Sequence, residues 1–168
     1  MTISDRRREA ERRPVSPAAL RDPVHLFALG FGAGLSPVAP GTVGSLVGLG
    51  LALAIRPLGL AALAGAALLA TVVGVRICGE SARRLGVHDH PAIVWDEIAG
   101  MLIAMLAAPA EWWGPPAAFA LFRAFDIVKP WPIREIDHGL RGGAGIILDD
   151  VLAGILAALG LVIVRSIA

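Results

Sequence analysis

PLGLAALAGAALLATVVGV, residues 57–75, contains no charged side chain. A helix needs about 20 apolar residues to cross the hydrocarbon core of a bilayer. This stretch therefore predicts a transmembrane helix, and with it an all-α, multihelical bundle that is membrane-embedded or membrane-associated. The composition agrees: 56% hydrophobic residues, a mean hydropathy of +0.71 and no tyrosine depart from a soluble globular domain.

Outward from this stretch, proline and charge punctuate the chain. On the N-terminal side, a helix over 43–55 ends at Arg56-Pro57. Before it, VHLFALGFGAGL (24–35) is too short to cross and stops at Ser36-Pro37. The intervening SPVAPGT (36–42) offers Thr42 as an N-cap, or Ser36, Gly41 and Thr42 as amides that hold an anion at a helix N-terminus. On the C-terminal side, the helix over 58–78 emerges at Arg76, Glu80, Arg83 and Arg84. Further helices are expected over 95–108, 117–128 and 150–166, with Trp112 and Trp113 at an interface.

Arg6, Arg7, Arg8, Arg12, Arg13 and Arg21, interrupted by Pro14 and Pro17, predict a disordered basic tail over 1–22, suited to anionic headgroups, ahead of one helical domain over 23–168. The tail lacks the apolar core of a secretory signal, and no second basic run with interleaved aromatics supports nucleic-acid binding. The single cysteine, Cys78, excludes an internal disulfide and a multi-cysteine zinc site. Cys78 to Arg84 has the Cys-x5-Arg spacing of thiolate phosphatases, but it ends an apolar helix without the strand and amide cradle that would activate a thiol.

Charge returns in FRAFDIVKPWPIREIDHGLRGGAGIILDD (122–150), where both signs crowd into an otherwise apolar chain. Buried charge is costly unless it is paired or binds a metal. If successive helices alternate in direction, Asp96, Glu97, Asp126, Lys129, Asp149 and Asp150 meet at one face, joined by Asp89 and the 36–42 loop. The other face keeps Arg56, Glu111 and Arg165. Provided that 24–35 does not cross, every Lys and Arg but Arg56 and Arg165 lies on the first face, which the positive-inside bias places in the cytoplasm.

Asp96-Glu-Ile-Ala-Gly-Met-Leu102 and Asp150-Val-Leu-Ala-Gly-Ile-Leu156 repeat one pattern, an acid followed a turn later by an Ala-Gly pair that admits a close helix. Carboxylates at helix N-termini are also favoured by the macrodipole alone. Gathered at neutral pH, however, these acids repel unless a cation sits among them. An oxygen-rich set without a cysteine cluster fits Mg²⁺, or Mn²⁺ in its place. Arg123, Asp126 and Lys129 recur every three residues; cation, acid and cation beside a metal suit a phosphate monoester. The residues alone thus point to a metal-dependent site for a phosphorylated substrate in or near the bilayer.

GLSPVAPGTVGSL (34–46), HDHPAIVWDEIAGM (88–101), FRAFDIVKPWPIREID (122–137) and GGAGIILDDVLAG (142–154) resemble, in order, the motif blocks of the bacterial phosphatidylglycerophosphatase A family. The resemblance implies a Mg²⁺-dependent phosphatase of the bacterial inner (cytoplasmic) membrane that converts phosphatidylglycerophosphate to phosphatidylglycerol in phospholipid biosynthesis. On that basis the metal ligands are expected among Asp89, Asp96, Glu97, Asp149 and Asp150, and the phosphate binders are Arg123, Lys129, Thr42 and Ser36. Asp126 completes the metal shell or orients water, and His90 protonates the leaving oxygen. His88 and His138 are read as surface or structural residues.

The competing reading is a non-catalytic metal-binding or transport-related small helical membrane protein, whose polar residues would lie at mid-membrane. A CDP-alcohol phosphotransferase would need an Asp-Gly-x2-Ala-Arg element that this sequence lacks.

Overall fold

The computed structural model describes residues 14–87, 90–131, 133 and 142–167. Its described α-helices include α1 (Pro23–Ala28), α2 (Pro40–Ile55), α3 (Leu60–Leu85), α4 (Trp95–Ala104), α5 (Gly114–Val128) and α6 (Gly143–Ile167). Short 3-10 segments occur at Pro17–Arg21, Gly30–Leu35, Arg56–Leu58 and Met105–Ala107. No strand occurs among the described residues, and the chain is an all-α bundle. The expected basic tail falls largely on residues 1–13, outside the described ones.

The bundle is built around α4. Asp96, Ile98, Ala99, Gly100, Met101, Leu102 and Ala104 of this ten-residue helix are all buried. Apolar side chains right round a helix require neighbours on every side, and α2, α3, α5 and α6 supply them. Three elements are long and apolar enough to cross a membrane: Pro40–Leu58, Leu60–Leu85 and Gly143–Ile167. Only 22%, 22% and 44% of their apolar windows is buried, so most of this surface faces outward. Leu46, Leu53, Leu68, Leu69, Val72, Val162 and Ile163 are among the exposed side chains, an apolar surface suited to lipid rather than water.

The helices alternate in direction as expected. At one end, Gly41 at the start of α2 meets Glu97 at the start of α4, and Gly79 near the end of α3 meets Gly143 at the start of α6. At the other end, Arg56 Nη2 donates to the Ala108 carbonyl at 2.9 Å, joining the exits of α2 and α4. Segment 24–35 forms no helix long enough to cross a membrane. It breaks after α1 at Phe31 and Gly32, whose positive φ values of 59° and 102° interrupt any helix. It is tied to the site end of α3 by His25 Nδ1 with Ser81 Oγ at 2.9 Å and by an Asp22–Arg84 ion pair.

Several expected boundaries move, each for a local reason. α2 begins at Pro40, with Ala39 in the left-handed conformation before it, so Thr42 lies inside the first turn and is not the N-cap. Gly59 (φ 98°) delays α3 to Leu60. The helix then runs beyond 78 to Leu85, where Gly86 (φ 73°) closes it. Cys78 therefore sits two turns inside a helix, fully buried, which removes the helix N-terminus that a thiolate needs. α4 gives way to a 3-10 turn after Ala104, and α5 starts at Gly114 rather than 117.

The largest shift is α6, which begins at Gly143 and not at 150. Asp149 and Asp150 thus lie in the second turn of α6, beyond the orphan amides of the helix N-terminus. Helix capping does not account for them.

Candidate active site

Small residues bring the helix starts together. A Cβ added to Gly41 would stand 2.2 Å from Glu97 Oε1, so a larger residue there would displace that carboxylate. A Cβ on Gly100 would meet the Asp150 carbonyl at 2.5 Å, and one on Gly154 the Gly100 carbonyl at 2.4 Å. The two copies of the Ala-Gly pattern therefore pack α4 and α6 against each other, side by side and in the same direction. That crossing sets the acids that precede the glycines, Asp96 and Asp150, beside one another.

One oxygen from each of Asp96, Glu97 and Asp150 lies within 4.8 Å of the others. Asp96 and Asp150 are 8% and 3% exposed, so water can offset little of their mutual repulsion. Glu97 Oε2 and Asp150 Oδ1 are buried without a hydrogen-bond partner. Burial pushes the Glu97 carboxyl up to about 8; a hydrogen bond with Asp96 opposes the rise, and the nearby Asp150 and Asp126 add to it. Buried oxygens with spare lone pairs, gathered at this spacing, fit a hard divalent cation such as Mg²⁺.

Beside the carboxylates, Arg123 Nη1 is paired with Asp126 Oδ2 and lies 3.4 Å from Ser45 Oγ, while Arg123 Nε is buried without a partner. Ser45 is fully buried on α2 and donates to the Gly41 carbonyl at 2.8 Å. Lys129 is the C-cap of α5, held at φ 44°. From there its Nζ reaches Asp149 Oδ2 at 2.7 Å. Left-handed backbone at a residue other than glycine costs about 1–2 kcal/mol, and such strain tends to collect at functional sites.

The predicted residues separate accordingly. Asp96, Glu97 and Asp150 form the cluster, Arg123 and Asp126 adjoin it, and Asp149 faces Lys129 alongside. Ser36 Oγ instead bonds the Val38 carbonyl at 2.8 Å and closes its own turn. Thr42 is half-buried in the first turn of α2. His90 is buried, with Nδ1 accepting from the Ala92 amide at 3.1 Å within its own loop. Asp89, His88 and His138 lie outside the described residues.

Sequence reasoning missed Ser45 and the role of Gly41. The available signal was their place in GTVGS, where Gly41, Gly44 and Ser45 fall on one helical face.

The family model described as Phosphatidylglycerophosphatase A matches residues 26–165. A phosphatidylglycerophosphatase A of Escherichia coli (strain K12) is 41% identical over 159 residues, covering 94% of this chain and 91% of the relative. One of Haemophilus influenzae is 46% identical over 152 residues, covering 89% and 93%. A protein of Bacteroides thetaiotaomicron, provisionally named a phosphatidylinositol-3-phosphatase, is 38% identical over 148 residues, covering 83% and 92%. No solved structure matches.

Proposed function

The chain belongs to the phosphatidylglycerophosphatase A family, and from that premise we propose that this phosphatase hydrolyses the terminal phosphate of phosphatidylglycerophosphate with the help of Mg²⁺. The observation that carries the reading is the convergence of three carboxylates, two of them with buried, unpartnered oxygens, beside an arginine whose Nε is also buried and unpartnered.

Asp96, Glu97 and Asp150 would hold the ion. Bound there, it would neutralise charge on the phosphoryl oxygens. Arg123 turns its Nε and fork toward the phosphate, held in place by Asp126 and Ser45. Lys129 adds a second cation at the rim of the site, anchored by Asp149. Asp126, between Arg123 and the cluster, orients the attacking water. As the phosphorus bond to the glycerol oxygen breaks, that oxygen takes up a proton, for which His90 is the proposed donor, and inorganic phosphate leaves.

We further propose that the site face lies on the cytoplasmic side of the inner membrane. Arg21, Arg83, Arg84, Arg123 and Lys129 lie toward that face, and Arg56 and Arg165 toward the other.

The test is phosphate release in detergent micelles from phosphatidylglycerophosphate and, in parallel, from phosphatidylinositol 3-phosphate, by wild type and Asp126→Asn. The expected result is release from the first substrate, at least about 100-fold slower in the variant. Release from the phosphoinositide alone would overturn the substrate assignment while leaving the phosphomonoesterase chemistry in place.

A further inference from the structure

The end of the molecule that carries the charged site also carries large, exposed apolar side chains. Val38, Ile127, Val128 and Trp131 are 75%, 69%, 71% and 78% exposed. Val38 sits in the loop that leads into Gly41. Ile127, Val128 and Trp131 surround the end of α5, next to Asp126 and Lys129 in the chain. Arg123 Nη1 would lie 3.5 Å from a Cβ on Gly41, so the two groups flank the same carboxylate cluster from α2 and α5. A site open to bulk water would be rimmed by polar residues; large exposed apolar groups mark a contact surface.

Two observations identify the contact as lipid. Pro116, Ala120, Ala124 and Ile127 are exposed at helical spacing, so the rim continues the outward-facing stripe of α5 into the site. In addition, α5 is bracketed by exposed tryptophans: Trp112, 86% exposed, precedes it and Trp131 follows it. Its 15 residues measure about 22 Å, and the flanking residues bring the tryptophans close to the roughly 30 Å span of a hydrocarbon core. Tryptophan favours the boundary between acyl chains and headgroups, so the pair marks both boundaries. The carboxylate site lies at the Trp131 end of α5, where Lys129 meets Asp149.

We propose that Val38, Ile127, Val128 and Trp131 form an apolar rim that seats the site in the headgroup boundary of one leaflet, so that a lipid phosphomonoester enters sideways from the bilayer. The enzymatic consequence rests on the phosphomonoesterase reading above; the seating itself does not.

The test uses the full chain in phosphatidylcholine–phosphatidylglycerol vesicles. In the first arm, tryptophan emission is quenched by lipids brominated near the glycerol end of the acyl chain, and wild type is compared with Trp131→Phe. Trp131 is expected to contribute a component quenched by the bromolipid and shielded from aqueous iodide. Quenching of that component by iodide alone would overturn the proposal. So would shielding from both quenchers, which would indicate a protein partner.

In the second arm, Ile127→Ser/Val128→Ser is compared with wild type on vesicle-embedded phosphatidylglycerophosphate and on its monomeric dihexanoyl analogue. The expected loss is about tenfold or more in kcat/KM on vesicles, with kcat on the monomeric analogue unchanged. Equal loss on both substrates, or loss on neither, would contradict the rim's role. If wild type hydrolysed neither substrate, the functional reading would fail while the quenching arm still decided the seating.

Discussion

Glu97 is the side chain most at odds with its surroundings. Its pKa rises from 4.5 to about 8, first through burial, so in the metal-free protein it stabilises the fold relative to the unfolded chain only while protonated. That contribution is full below about pH 4.5 and is lost as pH rises through 8. A bound cation requires the ionised form, so metal binding releases this proton. Mn²⁺ affinity is predicted to rise between pH 6 and 8, by at most about tenfold per pH unit for a single proton, and then to level off. Titration with Glu97→Gln should give weaker binding and a flatter pH dependence; an unchanged slope would place the proton elsewhere.

Arg123 yields a second prediction. Arg123→Lys keeps the charge but loses the fork held between Asp126 and Ser45, and kcat/KM should fall by roughly 10²–10³. Ser45→Ala should cost about tenfold, comparable to one hydrogen bond. The charged members of the site could be read from the sequence, because acid and base in an apolar chain need a purpose. Ser45 could not, since an uncharged serine in a helix is ordinarily explained by its own backbone bond, which it does make to Gly41. The left-handed Ala39 and Lys129 were equally hidden: nothing in their side chains announces φ values of 46° and 44°.

Among the helices, the α4–α6 crossing governs the site. The repeated acid and Ala-Gly pattern suggested a close approach, and Gly100 and Gly154 make it with each other. The start of α6 was misread because Asp150, the acid of the repeated pattern, was taken to open the helix. In the fold the helix already starts at Gly143, which is a close contact: a Cβ there would fall 1.8 Å from the Val75 carbonyl. Gly143→Ala should therefore destabilise the protein by about 1–3 kcal/mol and displace Asp149 and Asp150. Gly50→Ala, with open space around it, should be neutral or slightly stabilising. Thermal unfolding in detergent compares the two, and equal midpoints would contradict the packing. The end of α3 was also misjudged, since charge was taken to end the helix. At 26 residues, about 39 Å, it is longer than the roughly 30 Å hydrocarbon core of a bilayer, which leaves room for Glu80, Arg83 and Arg84 at its end.

At the scale of the whole molecule, helix alternation was the part of the fold most legible in the sequence. It follows from apolar lengths and proline breaks, which are local, and it was enough to predict that the acids would meet. Which acids come together was not legible, because that depends on helix rotation. Rotation sets Asp96, Glu97 and Asp150 together and turns Asp149 to Lys129. Orientation gives a further prediction. In intact bacterial cells Glu111→Cys should react with a membrane-impermeant maleimide, whereas Ser16→Cys should react only after the membrane is opened; the reverse pattern would invert the proposed topology.

Phosphate release from phosphatidylglycerophosphate by metal-stripped enzyme as Mg²⁺ is restored, in wild type and in Asp150→Asn, tests the proposed cation site. The prediction is no release without the metal, full recovery in wild type and little or none in the variant at the same Mg²⁺ concentration. Undiminished release by the stripped wild type, or identical recovery in folded Asp150→Asn, would contradict a cation held by Asp96, Glu97 and Asp150.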